Sequence, residues 1–199
     1  MAREQPAGAA GSLVVPGYDG VEFDARLIRD GVPVVLHDDT LTRVQGRPER
    51  AAALPAETLE ALGMPTLAFV LAALPAVAFL DVELKEDATR AVVDVLRSAR
   101  GPELANTAVS SLDAGALAQL AERAARWPRR LNADELHETL GLAARLGCSA
   151  VVAPWTTGAR SGRGRQASAL QRGQRRATFD HVARLGVIAE RVEGTAFAR

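Results

Sequence analysis

Two segments of the chain carry charged residues at alternate positions, as expected where strands present charge to one side. The segment GVEFDARL holds Glu22 and Asp24, and the segment AVAFLDVELK holds Glu83 and Lys85. Successive side chains of a strand point to opposite faces, so each pair would share a face. Three carboxylates that converge on one point repel one another unless a cation lies among them. Hard oxygen ligands favour Mg²⁺ or Ca²⁺, so the sequence predicts a site for one of these ions.

A histidine in the same part of the chain extends the predicted site. Taken alone, each charged pair also fits a simpler interpretation: a solvated hairpin edge for the first and an ordinary ion pair at a strand end for the second. His37, followed by Asp38 and Asp39, favours a site. A histidine titrates near neutral pH and can protonate the alkoxide that leaves a phosphodiester. The cation would polarise a phosphoryl oxygen, and Lys85 would offset charge on the phosphate.

The elements that must position these residues alternate between strand and helix. The segments GVEFDARL and VPVVLHDD, joined by an Arg-Asp-Gly turn, predict a hairpin. Further strands are expected at 76–85, 107–112, 127–132, 148–155 and 187–194, and helices at 55–62, 66–74, 87–99, 113–125, 133–147 and 178–186. Repeated strand–helix units predict a parallel sheet covered by helices. A closed barrel is favoured over a doubly wound sheet because the chain has no single Gly-rich phosphate fingerprint.

Three segments resemble motifs of the glycerophosphodiester phosphodiesterases. GVEFDARLIRDGVPVVLHDDTLTR is similar to the core signature of that family: an acidic residue, a spacer and an aspartate on a strand, an Asp-Gly turn, and a strand that ends in His-Asp. DVELK resembles the second acidic motif, and AVSSL resembles the Ser-Ser-Phe strand with Leu112 in place of the aromatic residue. These matches are ordered and spaced over residues 19–121.

The resemblance implies a metal-dependent (β/α)8 TIM barrel of the α/β class. Such an enzyme would hydrolyse a small glycerophosphodiester to an alcohol and glycerol 3-phosphate. The divalent cation, Mg²⁺ or Ca²⁺, would be bound by Glu22, Asp24 and Glu83. His37 would serve as an acid/base residue, and Lys85 would be the cation on the phosphate side.

Two stretches depart from the family pattern. Residues 1–18 contain neither a His-Arg-Gly strand nor a Glu-Asn-Thr motif, and the first histidine is His37. The arginine-rich stretch 156–177 stands where a Trp-Thr-Val-Asn strand is expected. A solvated loop is preferred there over an RNA-binding arm because the stretch has no aromatic residue. The barrel is therefore predicted to be incomplete, with a degenerate first strand and a degenerate late strand. The alternative to an active hydrolase is an inactive barrel remnant that binds a cation, a phosphate ester or a protein partner.

Two residues at strand ends are candidates for substrate contact. Ser111 is expected to make a polar contact with the phosphate or the metal ligands, and Trp155 to line the substrate pocket or pack in the core. His137 and His181 lie in helical patterns and are expected to be surface or packing residues. Cys148 begins a buried strand and is expected in the core.

Composition narrows the classes of function. The 24 basic and 24 acidic residues give a formal net charge of zero, so no overall field attracts nucleic acid. The 199 residues, 48% of them hydrophobic, predict one domain over 1–199, with 1–18 poorly ordered. The single cysteine and the lack of an apolar leader segment predict a cytoplasmic protein. The apolar stretch 61–82 is interrupted by proline and charge, so no membrane span is expected.

Overall fold

The computed structural model describes residues 20–86, 88–133, 136–152 and 176–179, and a seven-stranded sheet lies at its centre. The strands are β1 (Gly20–Leu27), β2 (Pro33–Val35), β3 (Phe79–Leu84), β4 (Thr107–Ser111), β5 (Arg129–Asn132), β6 (Ala150–Val152) and β7 (Arg176–Phe179). Their order is β2-β1-β3-β4-β5-β6, and β7 also pairs with β1. Among these strands β1 and β2 form an antiparallel hairpin, and the other pairs are parallel.

Helices connect the parallel strands. They are α1 (Thr42–Gln45), α2 (Ala56–Ala61), α3 (Leu67–Ala73), α4 (Thr89–Arg100), α5 (Ala114–Arg123) and α6 (Leu136–Arg145), with a 3₁₀ turn at Ala51–Ala53. Thr66 caps α3 as predicted, because its hydroxyl accepts the Phe69 N–H at 3.2 Å. Asp113 caps α5 by accepting the Gly115 N–H at 2.7 Å. Across the described helices, none is both long and apolar enough to cross a bilayer.

The two faces of the sheet differ in chemistry. Side chains on one face pack against the helices in a buried apolar core; these include Val21, Phe23 and Ala25 of β1, Leu80, Val82 and Leu84 of β3, Val92 and Leu96 of α4, and Leu117 and Leu120 of α5. The opposite face of β1 and β3 carries charge. Parallel strands that alternate with covering helices form a TIM-barrel-like α/β fold, which confirms the predicted fold class.

A second, smaller core supports the segment between β2 and α3. It contains Ile28, Val34, Leu36, Leu41, Ala51, Leu59 and Met64. Leu36 and Leu41 are completely buried and stand on either side of residues 37–40. The short polar segment that carries His37 is therefore anchored at both ends by buried leucines.

The structure corrects two predictions near the end of the chain. Residues 176–179 form β7, which pairs in parallel with 20–23 of β1. The predicted loop 156–177 and the predicted helix 178–186 both overlap this strand, so both are wrong at these positions. Pairing with β1 overrides the local composition, and it covers an edge that an incomplete barrel would leave open. The other residues of the two segments, and the predicted strand 187–194, lie outside the described residues.

Candidate active site

Three carboxylates meet on the charged face of β1 and β3, and we call Glu22, Asp24 and Glu83 the acidic cluster. Asp24 lies directly opposite Glu83 in the parallel register of β1 and β3. Glu22, Asp24 and Glu83 are only 6%, 2% and 8% exposed. One oxygen from each lies within 4.8 Å of the others. The strands thus bring together the three residues that the sequence singled out as ligands.

The side chain of Lys85 contacts two members of the acidic cluster. Its backbone N–H donates to the Ala25 carbonyl at 3.2 Å, which extends the β1–β3 pairing by one residue. Its Nζ donates to Glu83 Oε1 at 2.8 Å and lies 3.0 Å from Asp24 Oδ1. Burial, the largest single influence, lowers the pKa of Lys85, but the attraction of the two carboxylates outweighs it and the net pKa is raised. Lys85 therefore stays charged against the cluster.

The acidic cluster fits a divalent cation. Burial, the largest single influence, raises the pKa of the Asp24 carboxyl, the charge of Glu83 raises it further, and the two together outweigh the lowering by Lys85. The carboxylates are therefore held where negative charge is poorly solvated, and a cation among them would relieve that cost. The ammonium group of Lys85 shows that positive charge is accepted there. Carboxylate oxygens are the ligands that Mg²⁺ and Ca²⁺ prefer.

His37 lies beside the C-terminal half of β1. The N–H of the preceding residue, Leu36, donates to the Asp24 carbonyl at 3.1 Å. A positive charge on His37 lowers the pKa of Asp24, as a minor contribution. The imidazole is 48% exposed, and its Nδ1 lies 2.7 Å from Asp38 Oδ1. The segment that carries His37 is thus joined to β1 at Asp24, and the ring itself remains open to solvent.

Arg26 is a site residue that the sequence analysis missed. It occupies the same face of β1 as Glu22 and Asp24, and the two-residue spacing was the available signal. Its Nε donates to the His37 carbonyl at 2.9 Å, and its Nη1 donates to Glu86 Oε2 at 3.2 Å. Arg26 thus ties the segment of His37 to the residue that follows Lys85.

The charged face continues from the acidic cluster towards the N-terminal end of the strands. Asp81 is fully buried, and Arg130 Nη1 donates to its Oδ2 at 3.0 Å. The guanidinium of Arg130 also lies over the Phe79 ring at 4.9 Å from its centroid. The two residues lie on strands separated by β4, in which Ala108 is paired with Asp81 and Ser110 with Arg130. The charged face therefore continues as an ion pair beside the site, and this pairing could not be predicted from the two separate strand segments.

The structure separates Ser111 from the acidic cluster. Ser111 is fully buried, and its hydroxyl donates to the Leu84 carbonyl at 2.7 Å and accepts the Asp113 N–H at 3.0 Å. Both hydrogen bonds of the Ser111 hydroxyl are therefore made within the fold, next to the start of α5. Ser110 instead lies opposite Glu83 in register, and its buried hydroxyl has no hydrogen-bond partner within the described part of the chain. Trp155 lies outside the described residues.

A family model matches this chain over residues 11–135, more than half of its length, and the model describes the glycerophosphoryl diester phosphodiesterase family. The chain belongs to this family. The matched range extends beyond 19–121, where the motifs were recognised, and it contains the whole acidic cluster, His37 and Lys85. No curated protein matches the chain.

Solved structures of glycerophosphoryl diester phosphodiesterases share the fold of this family member. One from Thermotoga maritima has a TM-score of 0.63 at 22% identity, with 82% of this chain and 69% of the other covered. One from Agrobacterium tumefaciens has a TM-score of 0.65 at 21% identity, with 86% and 76% covered. An Oleispira antarctica phosphodiesterase, in complex with the product sn-glycerol-3-phosphate, has a TM-score of 0.66 at 21% identity, with 85% and 74% covered.

Proposed function

We propose that this chain is a single-domain, cytoplasmic phosphodiesterase that hydrolyses a small glycerophosphodiester to an alcohol and glycerol 3-phosphate, using Mg²⁺ or Ca²⁺. The observation that carries the proposal is the convergence of the acidic cluster within 4.8 Å, with the ammonium group of Lys85 against it. Membership of the family supports the reaction class. The product bound to the Oleispira antarctica relative supports the choice of substrate.

Each side chain of the proposed site has a separate role in hydrolysis. When bound by the acidic cluster, a divalent cation would supply Lewis acidity towards a phosphoryl oxygen. Lys85 offsets negative charge that develops on the phosphate. Water adds to phosphorus as the bond to the leaving oxygen breaks, and His37 gives its Nε2 proton to that oxygen. The proton lost by the water then restores His37, so the products are the alcohol and the phosphate monoester.

Serine and tryptophan contacts complete the proposed substrate site. Ser110 is the better candidate for a polar contact near the phosphate, because its hydroxyl is unpartnered among the described residues and it stands next to Glu83. Ser111 has both of its hydrogen bonds committed elsewhere. Trp155 is proposed as a further lining residue because it ends the apolar segment CSAVVAPW.

The test is a coupled assay for glycerol 3-phosphate with Mg²⁺ or Ca²⁺, on the wild type, Glu83→Gln and Glu103→Gln. Both substitutions replace a carboxylate by an amide, but Glu103 is exposed and faces Arg126 at 3.9 Å, away from the site. We expect product from the wild type and Glu103→Gln, and a loss of at least about a hundredfold in Glu83→Gln. Equal product from Glu83→Gln and the wild type would refute the assigned site. If the wild type forms no product while metal raises its melting temperature, the inactive remnant is correct.

A further inference from the structure

The carboxylate of Asp38 is held between two partners, one on each oxygen. Its Oδ1 lies 2.7 Å from Nδ1 of His37, and its Oδ2 accepts the Nε proton of Arg43 at 2.6 Å. Arg43 belongs to α1, whose preceding residue Leu41 is completely buried. The residue before α1 is thus buried in the small core and Val44 of α1 packs against that core, so the helix that carries Arg43 is anchored, and Asp38 between its two partners can hold the imidazole in one orientation.

The contacts among Arg43, Asp38 and His37 determine which nitrogen of the imidazole carries a proton. The hydrogen bond from Arg43 holds the pKa of Asp38 at about 2, with a further contribution from His37. Asp38 is therefore ionised at neutral pH and can only accept hydrogen bonds. The proton between the two side chains must then be on Nδ1 of His37. This leaves Nε2, which has no partner in the described residues, as the nitrogen that can exchange a proton with a ligand.

The backbone of His37 is fixed as well as its ring. Its carbonyl accepts the Nε proton of Arg26 at 2.9 Å, and Arg26 is in turn bound to Glu86. Among the described residues, the charged groups near His37 are thus the carboxylates of Asp38 and Asp24 and the guanidinium groups of Arg26 and Arg43. Within the described part of the chain, Asp38 alone contacts a ring nitrogen of His37. Rotation of the ring would break this contact.

We infer that Asp38, held by Arg43, is a positioning residue that fixes the Nδ1–H tautomer of His37 and so presents Nε2 as the proton donor to the leaving alkoxide. The catalytic role of Nε2 rests on the proposed function. The assignment of the Nδ1–H tautomer does not depend on it. When His37 gives its Nε2 proton to the alkoxide, the ring returns to the Nδ1–H form that Asp38 already binds. The same carboxylate therefore stabilises the ring before and after proton transfer.

Asp38→Asn tests the inference because it keeps the shape of the side chain and replaces one acceptor by a donor. The remaining carbonyl oxygen should stay with the charged donor Arg43, which turns the amide N–H₂ towards Nδ1 and forces the Nε2–H tautomer. The matched control is Asp39→Asn, which removes the neighbouring carboxylate; that group is exposed and faces Arg50 at 3.6 Å. His37→Gln assigns the imidazole signals.

Two readouts separate positioning from general structural damage. The first is the ¹⁵N spectrum of the neutral imidazole, which reports the tautomer whether or not the protein is active. The second compares a glycerophosphodiester with an alkyl leaving group and a p-nitrophenyl phosphodiester, whose leaving group needs no proton. With the alkyl ester we expect kcat to fall roughly tenfold to a hundredfold in Asp38→Asn, with KM little changed, and with the p-nitrophenyl ester less than about twofold.

Each outcome has a defined meaning. A wild-type Nδ1–H signal that is lost in Asp38→Asn and kept in Asp39→Asn supports the inference, as does a kcat loss confined to the alkyl ester. An unchanged tautomer in Asp38→Asn overturns it, and so does an equal loss of kcat with both esters. A wild type that shows the Nδ1–H signal but hydrolyses neither ester with Mg²⁺ or Ca²⁺ contradicts the proposed function while supporting the placement of the ring by Asp38.

Discussion

Replacement of Lys85 by methionine tests the electrostatics of the acidic cluster directly. The substitution removes the ammonium group that lies 2.8 Å from Glu83 and 3.0 Å from Asp24 and leaves three carboxylates within 4.8 Å of one another. Removing one partner of a buried ion pair costs about 3–5 kcal/mol. Because Lys85 is 14% exposed, we expect the lower end, about 3 kcal/mol, or about 6–12 °C in Tm for a domain of this size.

The pH dependence of this loss has a definite sign. Burial raises the pKa of Asp24, so the proton on Asp24 stabilises the fold below the ordinary value of 3.8, and this contribution is lost as pH rises through the raised pKa. Without Lys85, protonation of Asp24 would relieve more repulsion than in the wild type. The difference in Tm between Lys85→Met and the wild type should therefore be small in acid and grow towards neutral pH.

Thermal unfolding followed by circular dichroism, with and without millimolar Mg²⁺ or Ca²⁺, measures both effects. A cation and the ammonium group would use the same oxygens, so the metal should raise the Tm of Lys85→Met by more than it raises that of the wild type. Arg50→Met is the matched control, since it removes one positive charge from an exposed pair with Asp39 and should cost less than about 1 kcal/mol. A Tm of Lys85→Met equal to that of Arg50→Met, with no added response to metal, would refute the reasoning.

Two further predictions concern stability. Asp38→Asn should destabilise the fold by no more than about 1 kcal/mol at pH 6, because the carboxylate is partly exposed and screened. Its pKa is depressed to about 2, so this difference should vanish as pH falls from 3.8 to about 2 in urea unfolding; a difference that persists at pH 2 contradicts the assignment. Arg129→Met should lower the free energy of unfolding by about 3 kcal/mol, because the Arg129 side chain donates to carbonyls at the ends of α5 and α6. Arg126→Met, in an exposed pair, should leave the urea midpoint unchanged, and equal midpoints for the two variants would oppose a structural role for Arg129.

The strands that bear the site could be predicted because their two faces differ in the sequence itself. Alternation in GVEFDARL gives β1 its bounds and puts Phe23 in the core and Asp24 on the charged face. The same rule applied to Arg26 would have placed a third charged residue beside the site. The helix cap at Thr66 was also predictable, because a capping hydroxyl acts within one turn of its own helix.

Features that depend on pairing between strands could not be predicted in this way. Whether Ser110 or Ser111 faces the acidic cluster depends on the register of β4 against β3, and adjacent serines carry no signal for either choice. The residues around β7 are rich in arginine, and this composition favours a loop. Residues 176–179 nevertheless form a strand because they pair with β1. The ion pair of Asp81 with Arg130 joins strands that are separated by β4.

The apolar core determines where the charged groups lie. A slip of one residue between β1 and β3 would turn Val82 towards the charged face and Glu83 towards the helices. Val82 is fully buried among the helix side chains, so such a slip would move it among the carboxylates and bury Glu83 in an apolar layer. Burial of an unpaired carboxylate in an apolar layer costs several kcal/mol, which is comparable with the whole stability of a domain. The convergence of the acidic cluster is therefore specified by packing on the opposite face of the same strands, and the repulsion among its carboxylates is tolerated because that packing leaves the strands no other register.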